Sequence, residues 1–252
     1  MKCIICALLL FFNCTGPMAQ LNVIISGGFN GPYSKVLPEF EKSRGLAVKT
    51  YSGASQGNGP QTIKSQLQSG VAADVVILSK EGLDELAAAG RILEGSEVGL
   101  ALSPLGAAVS SGSTKPDIAT TSRFKEALLN TQLIVVPAST SGIYLTQELF
   151  PRLGLANLIK VKVTERGSQA TALLAAKGAD MAIQPTGELF NVPGIEFVGR
   201  LPSEVQLVQV FSAAIVKGSP RVKEAKDLIE FLSSPQTAPF IVHYGMDVVK
   251  KQ

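Results

Sequence analysis

The chain is short of several things that catalytic and nucleic-acid-binding proteins depend on. Its 252 residues contain one histidine, His243, and no tryptophan. A zinc or haem site made of protein ligands draws on several His or Cys side chains, so neither a metal nor a cofactor is expected. Aromatic residues are only 6% of the total, too few for the platforms that stack bases or the cages that hold quaternary ammonium groups. Charge is sparse too. The 23 basic and 20 acidic residues are spread without long runs, so no nucleic-acid partner is expected.

Cysteine is confined to Cys3, Cys6 and Cys14. All three fall in a stretch that reads as an export signal. Lys2 gives the positive start, Ile4 to Phe12 the apolar core, and Thr15, Gly16 and Ala19 the small residues around a cleavage point. The apolar run is shorter than the roughly 20 residues needed to cross a bilayer, and no later segment is longer. Residues 1–19 are therefore expected to be a cleaved signal peptide and the mature chain to be periplasmic, without thiols. Cys14 could serve as a lipid-attachment site, but Phe11, Phe12 and Asn13 before it lack the small residue such signals carry.

What is present points to a packed α/β protein. Hydrophobic residues make up 46% of the chain, which excludes disorder as its main state. Val- and Ile-rich runs at Asn22–Ser26, Leu46–Ser52, Asp74–Leu78, Leu133–Val136, Met181–Gln184 and Val205–Val216 predict strands. Between them, Tyr33, Val36, Leu37 and Phe40 share a helical face, as do Ile63 with Leu67, and Leu83, Leu86 and Ala87. Later helices are expected at Phe124–Leu129, Ile143–Leu149, Gln169–Ala176 and Val222–Leu232, with Gly45, Gly70, Gly90 and Gly178 as stops. Such alternation implies mainly parallel sheets flanked by helices.

Residues 110–122, SSGSTKPDIATTS, have no apolar period and read as a surface connection. The text on either side follows one grammar of strand, Gly- or Ser-rich loop, helix and strand. Two similar lobes are expected, with a ligand cleft between them. The β-rich run from Glu204 and two closing helices read as a return to the first lobe. The expected division is 20–103 plus 210–252 for lobe one and 104–209 for lobe two.

Three strand-to-helix loops carry groups suited to an anion. Ile24–Pro32, IISGGFNGP, brings Gly27, Gly28 and Gly31 to a helix start, where free N–H groups and the dipole favour negative charge. The same text fits an ordinary tight turn, and neither dinucleotide nor P-loop spacing is present. Val135–Tyr144 offers Ser139, Thr140 and Ser141, more hydroxyls than one N-cap requires. Val163–Ser168 places Arg166 at a third turn, able to fork onto a carboxylate or to sit exposed beside Glu165.

Gly53-Ala54-Ser55-Gln56-Gly57 matches the G-x-S-x-G nucleophile elbow after a strand. A secreted serine hydrolase would need His243 and a carboxylate such as Asp180 or Asp227. However, Asn58, Gly59 and Pro60 interrupt the helix an elbow requires. Ser55, Gln56 and Asn58 are better suited to donating hydrogen bonds to a ligand, and no catalytic residue is expected.

The chain resembles the two-lobed type II periplasmic binding proteins of ABC importers, and most specifically their molybdate-binding branch. The likeness rests on FEKSRG at Phe40–Gly45, QLQSGVAADVVILS at Gln66–Ser79, SGIYLTQEL at Ser141–Leu149 and FLSSPQTAPFIVHYG at Phe231–Gly245. It implies a monomer that closes on a molybdate- or tungstate-type oxyanion and docks on a membrane permease. By position it implicates Gly28, Phe29 and Asn30, then Ser55 to Asn58, Ser141, and Gly167 with Ser168. Gly28 stands where the branch carries Ser, and Gln184 and Pro185 where it carries Tyr. Those departures, with Arg166 gained, would also suit a small organic polycarboxylate such as a tricarboxylic acid.

Overall fold

A computed structural model describes residues 20–250; the expected signal peptide and its three cysteines lie outside the described residues. The chain begins β1 (Gln20–Ser26), α1 (Gly27–Arg44), β2 (Ala47–Gly53), α2 (Ile63–Gln68), β3 (Val75–Ser79), α3 (Lys80–Ala88) and β4 (Val98–Ser110). Next come α4 (Thr121–Leu129), β5 (Ile134–Pro137) and α5 (Thr140–Ile143), which runs through a π-helical stretch into α6 (Phe150–Arg152). β6 (Val161–Thr164), α7 (Gly167–Ala175), β7 (Met181–Pro185) and β8 (Ile195–Arg200) follow. The chain ends with β9 (Val208–Ile215), α8 (Val222–Leu232), α9 (Ala238–His243) and β10 (Asp247–Val248).

The strands form one curled path in the order β2-β1-β3-β9-β4-β7-β5-β6, with β8 and β10 attached to β4. Its two outer parts, β2-β1-β3 and β7-β5-β6, are parallel, as the βαβ grammar requires. The centre is antiparallel. There β4 pairs with β9 over Val98–Pro104 and with β7 over Leu105–Ala108, so one strand belongs to both lobes. This strand is absent from the sequence reading because VGLALSPLGAAVS contains Gly and Pro, which weaken a strand signal.

Each half has its own core. In the first, Tyr33, Phe40, Phe211, Leu228 and Leu232 are buried between the sheet and α1, α8 and α9. Ala225, Leu228, Ile229 and Leu232 of α8 recur at helical spacing and bury one face, as a surface helix must. In the second, Phe124, Leu128, Leu145, Phe150 and Ile183 pack together. Smaller clusters around Leu174 and around Ile63 with Leu86 cover the opposite sheet faces. Full burial of each such Leu or Phe is worth about 1.5–3 kcal/mol.

Two segments cross between the halves and are pinned to each other. Gln206 Oε1 accepts the Leu105 N–H at 2.6 Å, while its Nε2 donates to Leu105 O and Leu201 O, both at 3.0 Å. The expected strand from Val205 starts later, after a 3₁₀ turn at Ser203–Val205. Helix Val222–Leu232 has the bounds the periodicity predicts.

Candidate functional site

A cavity of about 620 Å³ lies between the halves. Ser26, Asn30, Lys35 and Ser55 line it from one side, Ser139, Ser141, Arg166, Ser168 and Glu188 from the other. Gln209, Phe211 and Tyr244 complete its wall. Three helix starts open onto this space, those of α1, α5 and α7.

The helix starts are capped in different ways. α2, α3 and α4 are each closed by their own N-cap side chain, from Thr62, Ser79 and Thr120. Ser26, Ser139 and Arg166, the N-caps of the cleft helices, make no such bond, nor does Arg221 at the start of α8, and at α7 Gln169 Oε1 accepts the Arg166 N–H at 3.2 Å. Ser26 Oγ instead accepts from Ser55 Oγ at 2.9 Å, and Ser55 Oγ accepts the Ser79 N–H at 3.0 Å. The first N–H groups of α1 and α7 thus receive no partner from their own N-cap side chains.

Glu188 reaches into this space from the 3₁₀ turn after β7. Its carboxyl lies against Gly27 and Gly167, the first residues of α1 and α7. A methyl group on either glycine would overlap it, well inside the 3.0 Å that Cβ contacts keep. Burial pushes the Glu188 carboxyl up from 4.5 to about 7, with Arg166 acting in the opposite direction. Lys35 and Arg166 are the cations on the cavity wall. Gln209 is only 2% exposed, and its Oε1 has no hydrogen-bond partner among the described residues. A buried acceptor without a partner is expensive unless a ligand or water completes it.

The two halves lie closed on each other. Ser79 Oγ and Thr140 Oγ1 are 2.8 Å apart, Thr186 Oγ1 donates to Gly245 O at 2.9 Å, and Arg200 grips Asp247 through two contacts of 3.0 Å. Gly187 packs on the backbone of Gly28, leaving no room for a side chain.

Of the residues singled out from sequence, Asn30, Ser55, Ser141, Arg166, Gly167 and Ser168 line the cavity together. Others are placed elsewhere. Phe29 is fully buried in the first core, because α1 turns that face to the sheet. Gly28 abuts the Phe211 ring, which fills the space a serine side chain would need. Gln56 donates to Glu85 at 2.6 Å, and Asn58 is exposed. Gln184 is fully buried within β7, and its Nε2 bonds Glu188 O at 3.4 Å.

The hydrolase arrangement is not assembled. Ser55 is bonded to Ser26 and Ser79, whereas His243 is exposed on α9 with its ring edge-on to Tyr244. Glu188, Lys35 and Gln209 escaped the sequence reading. Glu188 alone had a signal, an acid in the loop after a strand whose end was already assigned to the cleft.

Comparison with known proteins agrees with this architecture. Residues 21–247 match the family model described as bacterial extracellular solute-binding protein. An aconitate isomerase from a Pseudomonas species is 34% identical over 237 residues, covering 94% of this chain and 90% of that protein. Among solved structures, the periplasmic molybdate-binding protein of Azotobacter vinelandii superposes with a TM-score of 0.75 at 21% identity, covering 92% of this chain and all of the other. The sulfate-binding protein SubI of Mycobacterium tuberculosis gives 0.72 at 17% identity, over 92% and 88% of the two chains. The two-lobed α/β fold, the cleft and the family match lead to one conclusion: the chain belongs to the bacterial extracellular solute-binding proteins.

Proposed function

We propose that this chain captures a small organic polycarboxylate in its interlobe cleft, as the periplasmic binding component of an ABC importer. One observation carries the reading: Arg166 at the start of α7 and Lys35 on the body of α1 line one cavity of about 620 Å³. A guanidinium grips a carboxylate through two parallel hydrogen bonds, and helix N-termini accept the remaining negative charge. A bare molybdate or tungstate ion would fill a small part of such a volume. Glu188 weighs the same way, because its carboxyl already occupies the junction of two helix starts where a mineral oxyanion would sit. The 34% identical relative is named for aconitate, a tricarboxylic acid, which supports the same ligand class.

In this reading the lobes are 20–103 plus 210–252 and 104–209, closing about β4 and the segment bound by Gln206, and the protein acts as a monomer. A second reading, isomerisation of the captured acid in the same cleft, is favoured by the relative's name and by a cleft carboxyl that titrates near neutrality.

Dye-monitored melting of the mature protein tests the ligand. The panel sets cis-aconitate, trans-aconitate and citrate against molybdate, tungstate, sulfate and phosphate. A ligand at about 1,000 times its Kd adds roughly 4 kcal/mol and raises Tm by several degrees. A shift with the tricarboxylates supports the proposal. A shift with molybdate or tungstate alone overturns it in favour of the mineral oxyanion.

A further inference from the structure

In a cleft that captures anions, an ionised carboxylate opposes the ligand. At 4 Å, a like charge costs about 1 kcal/mol in water and about 4 kcal/mol near a protein surface. Yet Glu188 is held there firmly. Thr186, two residues earlier, bonds Gly245 O at 2.9 Å, the Gly187 N–H reaches Ser103 Oγ at 3.4 Å, and Gln184 bonds the Glu188 carbonyl. Two glycines at the helix starts make room for the carboxyl itself.

Among the described residues the cavity wall contains no other Asp or Glu and no His. The remaining ionisable groups facing it are Arg166 at the start of α7, Lys35 on α1 and Tyr244 after α9. A cleft with two cations and one carboxyl fixed against two helix starts has the parts that proton abstraction beside a carboxylate requires.

We infer that Glu188 is a catalytic residue that moves a proton along the allylic unit of a bound unsaturated polycarboxylate. The inference rests on the isomerisation reading above. The Glu188 carboxylate takes a proton from the methylene carbon adjacent to a ligand carboxylate. The released C–H electron pair becomes a new carbon–carbon double bond, and the former double-bond pair is drawn to its far carbon. The Glu188 carboxyl exchanges its proton with solvent while the intermediate is held, and then delivers a proton to that carbon. Atoms and electrons balance without an oxidant or co-reactant, and the relocated double bond can take cis or trans geometry. Charge that spreads onto the ligand carboxylates in between is met by Arg166 and Lys35.

The experiment uses the mature protein with trans-aconitate in D₂O, followed by proton NMR, with binding measured by calorimetry on the same samples. The wild type is expected to wash deuterium into the methylene position and to form the cis isomer, with a rate that rises with pH through neutrality. Glu188→Gln is expected to bind within tenfold of wild type and to lose at least 100-fold in exchange. Glu188→Asp should retain part of the activity with the same pH dependence. Wild-type binding without exchange overturns the inference and leaves capture standing. Exchange by Glu188→Gln within threefold of wild type, or loss of its binding together with exchange, also overturns it. No binding of any tricarboxylate by the wild type overturns the ligand reading and the inference with it.

Discussion

Gly187 is a point where closure of the two halves can be tested directly. A methyl group there would overlap the carbonyl oxygen of Gly28 and stand 3.1 Å from Met246 Sδ and 3.2 Å from the Gly28 carbonyl carbon. Ordinary contact begins at 3.4 Å. The obstructing carbonyl is backbone at the start of α1, so it cannot rotate aside as a long side chain would. In Gly187→Ala the halves must therefore part by on the order of 1 Å, since packed interiors yield little. Overpacking of this kind costs about 1–3 kcal/mol. If that cost falls on the closed state alone, affinity drops about 5- to 150-fold at 1.4 kcal/mol per decade. Calorimetry with trans-aconitate measures the affinity, and small-angle scattering of free and loaded protein measures the closure. The ligand-free Tm should stay within about 2 °C of wild type, because a 1 kcal/mol loss moves a chain of this size by roughly 2–4 °C. Affinity within twofold of wild type would refute the argument, as would a ligand-free destabilisation equal to the whole cost.

Replacing Arg166 by Lys keeps the charge but removes the fork, so tricarboxylate affinity should fall at least tenfold in calorimetry. Glu188 binds an extra proton in the folded state between pH 4.5 and about 7, so ligand-free stability should fall as pH rises through that window. With the side chain partly open to water, the effect is about 1–2 kcal/mol, and urea midpoints of Glu188→Gln should lack it. Gln206→Ala removes three hydrogen bonds at the crossing and should lower stability by about 1–3 kcal/mol. Leu228→Ala opens a cavity in the first core and should cost about 2–5 kcal/mol by urea denaturation, with tricarboxylate affinity unchanged.

The outer layers of the fold were legible because local rules governed them. α8 shows its buried face at Ala225, Leu228, Ile229 and Leu232, and Val23–Ile25 of β1 and Val75–Leu78 of β3 are apolar runs of the kind parallel strands require. The centre obeyed a different rule. β4 passes from one half to the other through Pro104, and its strand character comes from partners that follow it by many residues in sequence, β7, β8 and β9. Arg166 could be read as a cation at a strand-to-helix turn, a local pattern. Glu188 could not, since its meaning depends on Gly27 and Gly167, more than 20 positions away in one case and 161 in the other. Phe29 shows the converse. Next to two glycines in a loop-like text it resembled a ligand contact, but the helix begins at Gly27 and carries it into the core.

The place of β9 in the sheet also dictates an order of assembly. It lies between β3 and β4, yet it is made after the whole second half of the chain. Until residues beyond 207 emerge, β3 has an open edge and the first core lacks Phe211 and all of α8. The second half has no such debt, because β4 through β8 are contiguous in sequence. The middle of the polypeptide can therefore settle first, and the two ends are joined last by a strand that slots between earlier ones.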